Sequence, residues 1–253
     1  MISSLTFLAN PNRNLNSVNG FIENKGQIVD MNGDLVPHVL FKIQANNIDC
    51  YVTKTGVTYL LKKLISDSSN SEEKHEFIWE RVDLDLKNAT INSLNVLKEN
   101  ESKQGVLNYY LAHCSKGVGN VREYGKITIK DIYPNIDWVL YNSSDKGFKY
   151  DFILHKGAVV SDIKLTYKSK EEAVLLKNGE LKINTMFGEL TEKAPISYYN
   201  NKLIKSKFIL QSTKLEKSRS FENNISFEFE SIIPKVIEDK ELIIDPVLEW
   251  SSF

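Results

Sequence analysis

The sequence is poor in glycine, in proline and in long apolar stretches, and each shortage excludes a class of protein. With 12 glycines and 6 prolines in 253 residues, the chain is neither collagen-like nor an array of flexible linkers. No apolar stretch approaches the roughly 20 residues that a membrane-spanning helix requires, so we expect no membrane span. The contents of 42% apolar and 26% charged residues are typical of a globular protein with one large or two small domains.

The chain also lacks an excess of charge of either sign. It has 32 lysines and arginines against 33 aspartates and glutamates, which leaves a formal net charge of −1. Because proteins dedicated to nucleic acids need a basic excess to contact phosphates, we expect no nucleic-acid partner.

Cysteine is scarce, and the two residues present, Cys50 and Cys114, are far apart in the sequence. There is no CxxC pair and no cluster of cysteine with histidine, so no zinc site is predicted. If the chain is exported, the two thiols could form a disulfide. The alternative, which we favour, is two separate thiols that are buried or half-buried.

The pattern that is abundant is alternation of apolar and polar residues. Val82, Leu84 and Leu86 alternate with Asp83 and Asp85, as expected for a strand with one buried face. Similar alternation recurs at 39–43, 48–52, 57–61, 126–130, 148–154, 163–167 and 225–229. Turn signals separate these segments. Helical signal is poor: the best candidate, 67–80, begins as a polar loop and ends like a strand, and 91–97 allows one or two turns. We therefore predict an all-β fold, an antiparallel β-sandwich-like arrangement with very little helix.

Motifs that carry known chemistry are missing. The sequence has no nucleophile elbow, no phosphate-binding glycine loop, no dinucleotide fingerprint and no pair of histidines at metal-ligand spacing. We therefore predict no catalytic residue, no cofactor-binding residue and no cofactor.

One pair of carboxylates nevertheless allows a catalytic hypothesis. Asp131 and Asp137 flank the segment Tyr133-Pro134-Asn135. Two carboxylates beside aromatic residues are the groups that hydrolyse glycosidic bonds. The alternative, which we favour, is a strand–turn–strand in which these aspartates cap the turn and no chemistry takes place.

A second candidate is a weak calcium site at Asp30, Asn32 and Asp34. These oxygens occupy positions one, three and five of a calcium-loop pattern. The pattern then fails, because Leu35 stands at the glycine position and Phe41 at the position of the bidentate glutamate. An ordinary polar turn is the interpretation that we favour.

Several segments, taken together, resemble one protein family. The first and most specific is 21–27 (FIENKGQ). It is followed in order by 52–59 (VTKTGVTY), 124–127 (YGKI), 131–137 (DIYPNID), 149–153 (KYDFI), 188–195 (GELTEKAP) and 242–248 (LIIDPVL). This series resembles the N-terminal domain of unknown function found in large secreted proteins of Bacteroidetes, and the similarity runs over residues 21–253.

The resemblance implies a location and a neighbour, but no chemistry. In that family the domain usually precedes β-propeller-type or other β repeats, and the proteins often carry a sorting domain for type IX secretion. It therefore implies a secreted or cell-surface protein whose partner is a following repeat domain of the same polypeptide. The chain departs from the family in a longer segment at 30–37 and in Trp138, where an aliphatic residue is common.

The domain organisation expected from these observations is simple. Residues 1–20 are predicted to be a flexible tail or the remnant of a signal peptide. Residues 21–253 are predicted to form a single domain of this family, truncated before the following repeats, with a subdivision near 142–147 as an option. We expect 249–253 to begin the connection to the next domain and to pack loosely.

The function expected from the sequence is that of a non-catalytic extracellular or cell-surface module. It stands at the head of a large secreted repeat protein and serves structural, adhesion or partner-docking roles, with a surface glycan or protein as a further partner. Two alternatives stay open. One is a glycan-binding module, and the other is a carbohydrate-active hydrolase that uses Asp131 and Asp137.

Overall fold

The alternating segments form β-strands, as predicted, in the computed structural model of the protein. The structure describes residues 20–45, 48–66, 75–103, 105–143, 147–215, 220–229 and 235–252. Within them, helix is limited to two 3₁₀ turns at Ser93–Asn95 and Val160–Asp162. The first lies inside the segment where one or two turns were expected. Apart from Gly20, the predicted tail lies outside the described residues, and so does Phe253.

The described residues contain 20 strands. The first ten are β1 (Phe21–Glu23), β2 (Val39–Ala45), β3 (Ile48–Thr53), β4 (Gly56–Ser66), β5 (His75–Leu86), β6 (Val96–Glu101), β7 (Leu107–Tyr109), β8 (Val118–Val121), β9 (Glu123–Tyr133) and β10 (Ile136–Ser143). The others are β11 (Gly147–Leu154), β12 (Leu165–Ser169), β13 (Val174–Leu175), β14 (Leu181–Thr185), β15 (Gly188–Glu192), β16 (Ile196–Tyr199), β17 (Lys202–Leu215), β18 (Ser220–Phe229), β19 (Leu242–Asp245) and β20 (Leu248–Ser252).

Most strands belong to one large antiparallel sheet. Its 14 strands run in the order β1-β2-β3-β4-β5-β12-β18-β17-β16-β19-β11-β10-β9-β6. The first strand also pairs with β9, where Phe21 faces Tyr124. This additional pairing joins the first strand of the sheet to β9, the neighbour of the last strand, and curls the sheet on itself. A smaller sheet, β13-β14-β15-β20, and the pair β7-β8 complete the fold.

The core lies on the inner face of the large sheet. Val82, Leu84 and Leu86 all point into it and are at most 3% exposed, which confirms the alternation in β5. Trp138 of β10 packs edge-on against Tyr150 of β11, with ring centroids 6.1 Å apart. The all-β prediction is therefore confirmed, with antiparallel sheets packed around one apolar interior.

The smaller sheet packs against the same interior. Leu181, Ile183 and Leu190 join the core, and each is at most 2% exposed. Glu192, at the end of β15, reaches the inner face of the large sheet, where the hydroxyls of Tyr150 and Tyr167 donate to its Oε1 at 2.6 and 2.5 Å. Burial raises the pKa of Glu192, and these two hydrogen bonds oppose the effect.

The carboxyl-terminal expectation is wrong in one respect. Residues 249–252 do not pack loosely, because β20 pairs with β15 from Leu248 opposite Glu192 to Ser252 opposite Gly188. Lys193 also forms an ion pair with Glu249. The end of the described chain is therefore an integral strand of the smaller sheet.

Two further observations concern a domain boundary near 142–147 and membrane-spanning helices. Strands β10 and β11 form a hairpin whose paired residues run up to Ser143 and Gly147, so the segment 142–147 connects neighbouring strands of one sheet. A subdivision there stays a prediction, since residues 144–146 lie outside the described residues. The described part of the chain contains no helix that is long and apolar enough to cross a membrane.

Candidate functional site

The segment 131–137 forms the predicted strand–turn–strand. Strand β9 ends at Tyr133, Pro134 and Asn135 make the turn, and β10 begins at Ile136. Asn135 adopts a φ of 61°, a left-handed conformation that asparagine tolerates in turns. Ile136 is fully buried, and its packing fixes the turn against the core.

Asp137 is the hydrogen-bonding centre of this turn. Its Oδ1 accepts from the main-chain amide of Asp131 at 3.0 Å, and its Oδ2 accepts from Lys130 Nζ at 2.5 Å. His155 Nε2 lies 2.9 Å from the same Oδ2. Both aspartates were expected to cap the turn, and the structure shows one cap, in which the side chain of Asp137 accepts from the main chain of Asp131.

The environment of Asp137 favours a permanent negative charge. Burial pushes the pKa of this carboxyl upwards, but hydrogen bonds from Lys130, His155 and Asp131 outweigh it and hold the pKa below its ordinary value. A general acid needs the opposite, a pKa raised towards neutrality. The other nitrogen of His155, Nδ1, lies 2.9 Å from Glu241 Oε1, so the imidazole links two carboxylates.

The calcium candidate forms a closed polar turn. Asp30 Oδ1 accepts hydrogen bonds from the main-chain amides of Asn32 at 2.8 Å and of Asp34 at 3.0 Å. These bonds, first the one from Asp34, lower the pKa of Asp30. Nowhere in the described ranges do three or more histidine, cysteine or acidic side chains gather as metal ligands. The loop geometry is explained by the turn alone.

The two cysteines are separate free thiols. Cys50 lies on the inner face of β3 and is 3% exposed, and burial raises the pKa of its thiol far above the ordinary value. Cys114 is half-buried, and its Sγ donates to the carbonyl oxygen of Gly26 at 3.3 Å. This matches the favoured interpretation of two independent thiols.

A second carboxyl pair escaped the sequence analysis. Strand β11 pairs with β19 so that Phe152 faces Ile244, which sets Asp151 beside Asp245 on the outer face of the sheet. Tyr141 of β10 donates from its hydroxyl to Asp151 Oδ1 at 3.2 Å. Burial, followed by the charge of Asp245, raises the pKa of Asp151 to about 7. Nothing in the sequence brings these residues together, because each reads only as a polar outward position within an apolar strand.

The distinctive segment 21–27 is held by its own amide side chains. Asn24 Nδ2 donates to the carbonyl oxygens of Val36 at 3.2 Å and Val39 at 2.9 Å, and its Oδ1 accepts from the amide of Gly26. Gln27 accepts from the amide of Lys25 at 2.7 Å. These contacts give the segment a structural role.

A cleft lies beside the segment 21–27, where β9 pairs with two different strands of the large sheet. Strand β9 pairs with β1 on one side and with β6 on the other, and Tyr124 faces both Phe21 and Glu101. The cleft lies between β6 and the β1–β2 region and has a volume of about 330 Å³. Its apolar lining includes Leu35 and Phe41.

Lysines dominate the charge of the cleft. Lys25, Lys54 and Lys98 line it together with one carboxylate, Glu23. Lys98 forms an ion pair with Glu23, and its Nζ lies over the ring of Phe41 at 6.0 Å from the centroid. The cleft therefore carries more positive than negative charge. No pattern in the sequence predicts this cleft, because its residues come from separate loops and strands that only the fold brings together.

The comparisons with known proteins identify one family and nothing more specific. The family model of a domain of unknown function, DUF7948, matches residues 21–247. No curated protein and no solved structure matches the chain.

Proposed function

The chain belongs to the DUF7948 family of domains of unknown function, and we propose that it is a non-catalytic module at the head of a large secreted repeat protein. Its role is structural, adhesive or partner-docking at the cell surface. The location, the bacterial group and the following repeats rest on the sequence resemblance stated above.

The proposal that this module has no catalytic activity rests on the environment of the Asp137 side chain. This is the best-placed carboxylate of the proposed hydrolase pair, yet its side chain is 3% exposed and both oxygens are engaged. A nucleophile or general acid needs a free oxygen within reach of substrate. Lys130, His155 and the main chain of Asp131 occupy those directions instead, so the cluster serves to lock the β9–β10 turn.

A panel of polysaccharides tests the absence of hydrolysis. We expect no release of reducing ends by the full chain, and the same result for Asp137→Asn and Asp131→Asn. Hydrolysis that is lost in these variants, while circular dichroism shows an intact fold, would establish the hydrolase alternative. Asp239→Asn is the matched control, because Asp239 is exposed and lies outside the turn.

A separate experiment tests the location. The intact polypeptide, expressed in its own cells, should be labelled by an impermeant amine reagent and cut by added protease while the cells stay closed. Full protection from both reagents would refute a surface role. This outcome does not depend on the hydrolysis test.

The second candidate function is binding of a glycan or protein without catalysis. The cleft between β6 and the β1–β2 region favours it, because concave sites with an apolar lining and a few polar groups are where proteins bind small ligand groups.

A further inference from the structure

We propose that a proton on the buried side chain of Glu192 joins the smaller sheet to the large sheet, and that removal of this proton in alkaline solution loosens β13, β14, β15 and β20. The fold then contains a pH-sensitive contact in its core. This inference goes beyond the function proposed above and does not depend on it.

The hydrogen bonds around Glu192 are those of a neutral carboxylic acid. The residue is 2% exposed, and its Oε1 accepts from the hydroxyls of both Tyr150 and Tyr167. Its Oε2 is buried and has no hydrogen-bond partner among the residues that the structure describes. In a carboxylic acid one oxygen accepts in this way and the other carries a proton. A carboxylate would instead leave Oε2 as a buried, charged acceptor without a donor, which is costly.

Tyr59 of β4 supplies the acceptor for that proton. Its hydroxyl is fully buried and likewise lacks a hydrogen-bond partner in the described part of the chain. Burial raises the pKa of Tyr59, and the charges of Cys50 and Glu192 raise it further, so the hydroxyl lies within the electrostatic reach of Glu192. A hydrogen bond from Glu192 to Tyr59 satisfies both atoms that otherwise have no partner.

No cation stabilises a carboxylate at this position. The titratable groups that face Glu192 from the large sheet are all fully buried phenols: Tyr59 of β4, Tyr150 of β11 and Tyr167 of β12. The residues opposite Glu192 in the smaller sheet are apolar: Leu181 of β14 and Leu248 of β20. Burial therefore has the largest effect on the pKa of Glu192 and raises it, against the two tyrosine hydrogen bonds.

The contact is expected to weaken as the pH rises. Because the pKa of Glu192 is raised in the folded state above the ordinary value of 4.5, its contribution to stability is complete below that value. The contribution is lost as the pH rises through the folded-state pKa. The loss falls on the smaller sheet, because Glu192 belongs to β15 and its partners belong to β11 and β12. A second polar link, from the amide of Met186 to Glu80 of β5, does not involve this proton.

Infrared spectroscopy detects the proton directly. The full chain is isotope-labelled at the glutamate carboxyl carbon, which separates its bands from those of aspartates such as Asp151. We expect a glutamate carboxylic-acid band that persists well above pH 4.5 and disappears in alkaline solution. A glutamate signal that titrates entirely near 4.5 overturns the proposal, and this measurement needs no variant.

Hydrogen exchange of main-chain amides locates the effect. Glu192→Gln keeps an acceptor and a donor but cannot ionise. At pH 9 the amides of β15 and β20 should exchange at least about tenfold faster in the unmodified chain than in Glu192→Gln, and equally fast at pH 5. Amides of β3 and β4 should not differ between the two proteins.

The matched control is Glu189→Gln. Glu189 lies on the same strand with its side chain away from the core, where it pairs with Lys182. This variant should exchange as the unmodified chain does at both pH values, and slowing at pH 9 like that expected of Glu192→Gln would overturn the assignment to the buried side chain. Equal exchange of Glu192→Gln and the unmodified chain at pH 9, or faster exchange in Glu192→Gln at both pH values, would also overturn the proposal.

Discussion

Replacing Asp245 by asparagine should stabilise the protein in neutral and alkaline solution but not in acid. Asp245 and Asp151 lie side by side on β19 and β11, and Tyr141 donates to Asp151. Lys149 is the nearest cation on the same strand, and its charge lowers the pKa of Asp151 without offsetting the other effects. The substitution removes the negative charge of Asp245 and keeps a side chain of similar shape.

The direction and the size of the expected change in the free energy of unfolding follow from the pKa of Asp151, which rises from an ordinary value of 3.8 to about 7. Because Asp151 holds its proton more tightly in the folded state than in the unfolded chain, its contribution to stability is complete below pH 3.8 and is lost as the pH rises from there to about 7. The whole difference corresponds to roughly 4 kcal/mol as an upper bound. Burial of Asp151 is the larger cause and remains in the variant, so Asp245→Asn should recover about 1–2 kcal/mol above pH 7.

Urea unfolding at pH 4.5 and pH 8 measures this difference. We expect Asp245→Asn to exceed the unmodified protein by about 1–2 kcal/mol at pH 8 and to match it at pH 4.5. The melting temperature at pH 8 should rise by roughly 2–8 °C for a chain of this size. Asp239→Asn, at an exposed site, should change neither value. An equal loss of stability at both pH values would refute the argument, because it would show that Asp245 contributes a favourable contact.

Four further outcomes are expected from the packing. Ile136→Ala should cost about 2–5 kcal/mol in urea unfolding, since the side chain is fully buried, and a loss below about 0.5 kcal/mol would contradict its place in the core. Asn24→Ala should cost about 1–3 kcal/mol, because two carbonyl oxygens lose their donor; unchanged melting would contradict this role. In native protein a maleimide should label Cys114 and spare Cys50 until denaturant is added, and rapid labelling of both would show an open core. Deleting 250–253 should lower the melting temperature by more than about 4 °C, as three of the five β15–β20 pairs disappear; a smaller shift would restore the expectation of loose packing.

Local features were predictable because they depend on neighbouring residues. The alternation of Val82, Leu84 and Leu86 with aspartates fixes which face of β5 is buried, whatever strand lies next to it. The turn at Pro134 was equally local. In both places the side-chain period and turn chemistry alone determine the result.

Features that depend on long-range pairing were not predictable. Asp151 and Asp245 lie side by side only because β19 pairs with β11. Neither this pairing nor its register can be predicted from one sequence. The strand β20 was misjudged for the same reason, since its partner β15 lies far upstream. The cleft joins Lys25, Lys54 and Lys98, whose spacing in the chain resembles no motif.

The double pairing of β1 has a consequence for the order of folding. Strands β2 to β5 are successive antiparallel neighbours, so they can assemble from short-range contacts as a meander. β1 also needs β9, because Phe21 pairs with Tyr124 more than a hundred positions later. The long segment between β1 and β9 must lose conformational freedom before the contact between these two strands can stabilise the fold. Strand β1, the first of the described strands, is therefore expected to be among the last to reach its complete set of partners.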